Sequence, residues 1–322
     1  MLGKNVVVFG GTGFVGRSVV NELSKQGYHT RLVVRRAERH RDFMLFPNAS
    51  LVEQKELDAE ILNDILKDAD LVVNLYADTT AKTENVTLDE LVDRAQKIKQ
   101  AVEYAKITRL MVLSQLGADN TQETNKYSCA LAKADAIQLS TVNANVTIAK
   151  PGMLIGEGDE TTSIFRTQLS IIGVLPVPNS STVVQPLAVQ DFALAFVNAI
   201  EDETAFAKKL NFVGEETLKL KELAQLIVEM RGAKPGWVIP MCGLGGRFMA
   251  YLGRLAPVKS VSATLVNTLK LDLISNDSFA TLYGFEPTSI EQVLAKYIVE
   301  PGMRSRYNFY RKEAGRDEID LA

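Results

Sequence analysis

The chain has 322 residues, 46% of them hydrophobic and 23% charged, with a formal net charge of -3 at pH 7. That length and composition fit one large domain or a domain with a lobe, and the slight acidic excess excludes a general nucleic-acid binder, because neutralising phosphates takes a basic surplus. Two distant cysteines, Cys129 and Cys242, and two histidines, His29 and His40, supply too few soft ligands for a metal centre. The chain enters a strand almost at once, without a cleavable signal or an Arg-rich transit segment, so cytoplasmic residence is expected. No run of 18 apolar residues predicts a transmembrane segment. The nearest candidate, Gly236 to Val258, is interrupted by Arg247 and Arg254 and fits at most an interfacial helix.

In chain order, the first element is the stretch from Asn5 to Arg17, NVVVFGGTGFVGR. Val6, Val7, Val8 and Phe9 read as a strand buried on both faces, and Gly10, Gly13 and Gly16 give a G-x-x-G-x-x-G turn before an amphipathic helix over Phe14 to Gln26. Glycines at this spacing make the turn tight, let backbone approach a diphosphate and let the helix pack closely on the strand, with the helix N-terminus facing the anion. Gly10, Gly11, Thr12, Gly13, Phe14, Val15 and Gly16 are therefore the expected dinucleotide cradle. Thr30 to Val34 predicts a second strand ending in Arg35 and Arg36. An acidic residue there would bind the ribose of NAD, whereas guanidinium groups suit the 2′-phosphate of NADP, so NADP(H) is expected over NAD(H).

A short strand at Leu51 to Gln54, a helix at Asp58 to Leu66 and a strand at Asp70 to Leu75 follow. Then come a long helix from Thr87 to Lys106, a strand from Arg109 to Ser114, a helix from Tyr127 to Thr141 and a strand from Val146 to Ala149. This alternation predicts an α/β fold, a Rossmann-type doubly wound parallel sheet over residues 1–150. From Lys150 the texture changes, with prolines at 151, 176, 178 and 186 cutting the chain into shorter pieces, which predicts a smaller C-terminal α/β lobe over 151–322. Within it Gln190 to Ile200 and Lys219 to Met230 read as helices. Leu210 to Val213 and Trp237 to Ile239 read as strands that either return to the main sheet or form a small one. The tail from Arg304 to Arg311, RSRYNFYR, mixes basic and aromatic residues and is a candidate contact for phosphates or lipid headgroups.

The loop GGTGFVG, the strand ending LSQLGAD, the segment KPGMLIGEGD from Lys150 to Asp159 and QPLAVQD from Gln185 to Asp191 together resemble the extended and atypical short-chain dehydrogenases/reductases. Within them the set is similar to the NAD(P)H-binding accessory subunits of respiratory complex I and their bacterial relatives. The resemblance implies a bound dinucleotide and, as partner, a respiratory or other membrane-associated assembly, with the chain peripheral at the inner membrane. It also implies an adenine contact at Glu56, where the family favours aspartate, and a cofactor cleft lined by Leu75 and Tyr76, where a smaller residue than the tyrosine is usual.

For turnover, the family uses a Tyr-x-x-x-Lys pair on the helix after the fifth strand and a hydroxyl near that strand's end. The lysine lowers the tyrosine pKa, so the phenol can exchange a proton during hydride transfer. Tyr127 is present, but Leu131 stands four residues on, and Lys133 points roughly 160° away from the fourth position at 100° per residue. Ser114 sits at the strand end, followed by Gln115 and Leu116. The expectation is a dinucleotide-holding protein without catalysis, with a structural or stabilising role. The alternatives are an active NADP-dependent reductase, epimerase or dehydratase using Tyr127, and a redox-sensing regulator.

Overall fold

The computed structural model describes residues 3–78, 80, 87–119, 126–231, 236–241, 266 and 268–299. In chain order the first half holds β1 (Asn5–Phe9), α1 (Phe14–Lys25), β2 (His29–Val34), β3 (Ala49–Glu53), α2 (Ala59–Leu66), β4 (Leu71–Asn74), α3 (Leu88–Tyr104), β5 (Arg109–Leu113), α4 (Lys126–Leu139) and β6 (Asn145–Pro151). There follow β7 (Leu154–Ile155), α5 (Thr162–Ile172), β8 (Val174–Pro178), β9 (Val183–Val184), β10 (Leu187–Ala188), α6 (Val189–Asn198), β11 (Lys209–Phe212), β12 (Leu218–Lys219), α7 (Leu220–Met230), β13 (Trp237–Met241), α8 (Phe279–Tyr283) and α9 (Ile290–Ala295).

Seven strands make one parallel sheet in the order β11-β6-β5-β4-β1-β2-β3. This is the Rossmann-type α/β fold expected from the alternating pattern. Strand order reverses between β1 and β4, so the turns leaving these two neighbours lie side by side at the carboxyl edge of the sheet, where open α/β folds bind ligands. Side chains alternate across the sheet. Val7, Phe9, Val33, Val72, Leu110, Val112, Val146 and Ile148 form one buried core with Leu62 and Leu66 of α2, Leu91, Ile98 and Val102 of α3, and Leu131 of α4. Val6, Val8, Leu32 and Val34 are equally buried on the opposite face, where α1 packs against α6.

Two compact units account for the chain, one comprising Met1–Gly152, Val189–Val213 and Ser275–Phe285, the other Met153–Ala188, Gly214–Ile274 and Glu286–Ala322. A single boundary near residue 150 is thus crossed by returning segments. The physical reason is the edge of the sheet: β6 would present unpaired backbone, and β11 covers it by pairing Leu210 with Ala149 and Phe212 with Pro151. Of the two strands whose placement the sequence left open, Leu210–Val213 returns to the main sheet, whereas Trp237–Ile239 lies in a small parallel sheet with β8.

In the second unit two of the four segments that carry the family resemblance meet each other. Leu154 and Ile155 of KPGMLIG pair with Leu187 and Ala188 of QPLAVQD. Asp159, at the end of the first segment, starts α5: its buried carboxylate accepts from the amides of Gly156 (3.2 Å), Thr161 (3.0 Å) and Ser163 (2.8 Å). Residues 242–258 of the apolar segment and the tail from Arg304 to Arg311 lie outside the described residues. Among the described residues no helix is long and apolar enough to cross a membrane.

Candidate functional site

The glycine turn is built as its spacing predicts. Gly10 follows β1 at φ +71°, and a Cβ there would sit 2.7 Å from the Tyr76 amide nitrogen. An L side chain is therefore disfavoured both by conformation and by space. Gly16 lets the first turn of α1 close onto the loop, since a Cβ would fall 2.3 Å from the Gly11 carbonyl carbon. Leu75, fully buried, lies beneath Gly11 and donates its amide to the Phe9 carbonyl at 2.8 Å. The hydroxyl of Thr12 is buried and has no hydrogen-bond partner among the described residues. An orphaned donor in a glycine-lined turn fits a polyanionic group, because a buried hydroxyl without a partner is costly unless a ligand completes it.

The N-terminus of α1 needs acceptors from elsewhere. Its N-cap is Gly13, which has no side chain to offer, and its first turn carries no acid. They come from the turn after β4. Asp78 Oδ2 accepts from the Val15 and Gly16 amides at 2.9 and 3.3 Å, and Thr80 Oγ1 accepts from the Phe14 amide at 2.6 Å. Asp78 is 6% exposed, and burial pushes its pKa up against the hydrogen bonds from Thr80, Gly16 and Val15. Neither residue was singled out from the sequence, where nothing but an acid shortly after a strand end marks them.

Arg35 and Arg36 stand at the end of β2 as expected. Arg35 Nη2 lies 3.8 Å from Glu90 Oε1 on α3, and Arg36 is exposed. Beside them the Glu53 carboxylate accepts from the Ala37 amide at 2.8 Å, so an acidic group shares the arginine surface. Glu56 is exposed beyond β3. Tyr76 is 8% exposed; its ring packs in the core cluster, 6.3 Å from Phe9 between centroids, with the Arg94 guanidinium 4.4 Å above it. The ring thus packs on the edge of the turn at Gly10.

The positions expected for proton transfer are differently employed. The Tyr127 hydroxyl donates to the Ala77 carbonyl at 2.8 Å, Leu131 is 1% exposed in the core, and Lys133 is exposed to solvent. Ser114 Oγ donates to Asp135 Oδ2 at 2.6 Å, and both side chains are buried. Burial raises the Asp135 carboxyl to about 6, although the Ser114 bond, Lys209 and Lys150 pull it down. Nearby, Asp119 takes the ammonium groups of buried Lys150 and half-exposed Lys209, the latter at 2.7 Å. Burial pushes the Asp119 carboxyl up, but these two hydrogen bonds outweigh it and hold it below the usual range. Lys150 stands in KPGMLIG without a role readable from spacing, and Asp135 lies on α4 with no motif in the sequence to mark it. Among the described residues no cluster of His, Cys, Asp and Glu could hold a metal ion.

A family model described as NAD(P)H-binding matches residues 10–198, from the first glycine of the turn through α6. The chain belongs to this NAD(P)H-binding family. Among curated relatives it is 27% identical over 239 residues to the mitochondrial NADH dehydrogenase [ubiquinone] 1 alpha subcomplex subunit 9 of Arabidopsis thaliana, covering 72% of this chain and 59% of that protein. It is 26% identical over 231 residues to a ceramide reductase of Caulobacter vibrioides, covering 71% of each. The chain spans about three-fifths of the length of the NADH dehydrogenase subunits it matches. Among solved structures, the NADPH-dependent quinone oxidoreductase of Escherichia coli, complexed with NADPH, superposes with a TM-score of 0.71 at 15% identity, over 90% of this chain and 99% of that one. This NAD(P)H-binding chain therefore has both NADH dehydrogenase subunits and a reductase among the proteins it resembles.

Proposed function

We propose that the protein holds NADP(H) without turning it over, and that the bound dinucleotide stabilises a subunit of a respiratory, membrane-peripheral assembly. The dinucleotide would rest on Gly10–Gly16, with Thr12 supplying a hydroxyl, Leu75 and Tyr76 flanking the turn, Arg35 and Arg36 reaching the 2′-phosphate, and Glu56 on the adenine side. When bound, this cofactor supplies a hydride donor or acceptor. The observation that carries the non-catalytic reading is at Tyr127: its proton is committed to the Ala77 carbonyl, and the fourth position on is a buried Leu131 rather than a lysine. No ammonium stands at that position to take part in proton transfer.

A ligand present at 100 times its dissociation constant adds roughly 2.7 kcal/mol to the folded state, so binding alone is a useful function for a structural subunit. The similarity to the mitochondrial alpha subcomplex subunits supports such an assembly. The test is purified protein with NADPH: tight binding, with negligible oxidation across a panel of carbonyl compounds, quinones and nucleotide sugars, is expected. Steady turnover abolished by Tyr127→Phe would overturn this reading.

That outcome would instead support a second one, an NADP-dependent reductase, epimerase or dehydratase acting on a small molecule. The ceramide reductase similarity over 71% of both chains favours it. Tyr127 would then be the proton donor, released from Ala77.

A further inference from the structure

The anion seat at the start of α1 is already filled from within. We propose that Asp78, assisted by Thr80, is an internal competitor for the dinucleotide's diphosphate, so that the cofactor binds by displacing this carboxylate. The proposal rests on the dinucleotide reading of the glycine turn.

Three observations converge on it. First, α1 brings no acceptor of its own: Gly13 is the N-cap and no acid lies in the first turn, so the amides of Phe14, Val15 and Gly16 depend on an outside group. Second, the group supplied is an anion with every oxygen engaged. Asp78 Oδ2 takes two of those amides, while Oδ1 takes the Thr80 amide at 3.0 Å and the Thr80 hydroxyl, and that same hydroxyl oxygen takes the third helix amide. Third, the middle glycine makes the room. A Cβ on Gly13 would lie 2.3 Å from Asp78 Oδ2 and 2.6 Å from Thr80 Oγ1. The absence of a side chain that lets backbone approach a diphosphate here lets in a carboxylate.

Topology explains how an acid so distant in sequence reaches the seat. β1 and β4 are paired neighbours at the switch point, with Phe9 opposite Asn74, so the turn after β4 emerges beside the turn after β1. An amide cannot serve two anions at once, and two negative groups within a few Å repel strongly in a buried site. Binding is therefore an exchange. The seat stays satisfied without cofactor, and the affinity measured from outside is lowered by the fraction of molecules in which Asp78 has left.

The test is NADPH and NADH titration of the full chain as wild type, Asp78→Asn, Asp78→Ala and Thr80→Ala, followed by calorimetry, with circular dichroism and thermal unfolding of each variant. Asp78→Ala should bind NADPH about 10-fold or more tighter than wild type, as removing a competing population requires. Asp78→Asn should lie between, and Thr80→Ala should tighten binding less. Apo Asp78→Ala should melt below wild type and gain more from saturating NADPH. Thr80→Ala leaves the carboxylate in place and keeps the test open should Asp78→Ala fail to fold. Folded variants that bind NADPH no tighter than wild type would overturn the exchange while leaving the dinucleotide reading intact. Absence of binding to wild type and to every folded variant, with either dinucleotide, would overturn both.

Discussion

Arg109 Nε donates to the carbonyl of Ile200 at 2.8 Å, fastening the end of α6 to β5. The same guanidinium gives Nη2 to the Ala199 carbonyl at 2.7 Å and Nη1 to the Asn145 carbonyl and Thr147 hydroxyl at 2.9 and 2.8 Å, and it lies 4.4 Å over the Phe206 ring. Burial draws its pKa down to about 10, against the opposing pull of Glu201 and Asp202, yet it stays charged at neutral pH. Arg109→Met would leave three carbonyls without this donor. A loss of about 3–5 kcal/mol in urea unfolding is expected, the range for breaking a buried charged network. NADPH affinity of the folded fraction should be unchanged, because no atom of this network belongs to the glycine turn.

Gly16→Ala probes the turn itself. The new Cβ would meet the Gly11 backbone at 2.3 Å, and a backbone contact cannot yield by a rotamer change. A loss of about 1–3 kcal/mol is expected from such overpacking, with NADPH binding reduced beyond what lower stability explains, because α1 must shift away from the cradle. Thermal unfolding with and without NADPH separates the two effects. An unchanged ligand-induced rise in Tm would show that α1 takes no part in binding.

The sheet was legible because a strand buried on both faces must be a run of apolar, often β-branched residues. Val6–Phe9 and Leu71–Val73 read that way without ambiguity, and the helices between them show one apolar face. The second unit was not legible to the same degree. Strands β7, β9, β10 and β12 are two residues long, too short for any period to register, and α5 begins at a turn organised by one buried carboxylate rather than by a recognisable cap. Pairing of β11 with β6 joins segments some 60 residues apart, which no local pattern encodes. At the site, glycine spacing exposes the cradle because it is a local constraint. Asp78 is 63 residues from the amide of Val15, and Asp135 is 21 from Ser114, so their partners emerge only once the sheet has brought the turns together.

Asp135 predicts a pH dependence whose sign can be worked out. Its folded-state pKa, raised to about 6 chiefly by burial, exceeds the ordinary 3.8 of an unfolded aspartate. The folded state therefore holds the proton more tightly, and ionisation favours unfolding. This group's contribution is harmless below pH 4, turns unfavourable as pH rises towards 6, and levels off above, reaching about 3 kcal/mol for a gap of that size. Asp135→Asn removes the titration while keeping an acceptor for Ser114. The difference in Tm between variant and wild type should thus grow in favour of the variant from pH 4.5 to 7.5. A constant offset across that range would show that Asp135 remains ionised in the fold.

On the proposed reading, cofactor choice turns on the end of β2. A 2′-phosphate placed there would meet the exposed Arg36 and the Arg35 guanidinium, which lies 3.8 Å from Glu90, but it would also approach the Glu53 carboxylate that holds the Ala37 amide. Attraction to two guanidinium groups is opposed by two nearby acids, Glu53 and Glu90, so the expected net preference for NADPH is limited. Replacing Arg35 and Arg36 together by alanine should weaken NADPH binding by about 10- to 100-fold, the value of one or two charge-assisted hydrogen bonds, and leave NADH binding within about threefold. Glu53→Gln should act in the opposite direction, tightening NADPH more than NADH, since it removes the repulsion and keeps an acceptor for the Ala37 amide. Titrations with both dinucleotides at two salt concentrations check this, because a phosphate contact at an exposed arginine weakens as salt rises. Equal losses for NADPH and NADH in the double variant would refute the 2′-phosphate assignment, and a salt-independent NADPH affinity would place the discrimination away from this edge of the sheet.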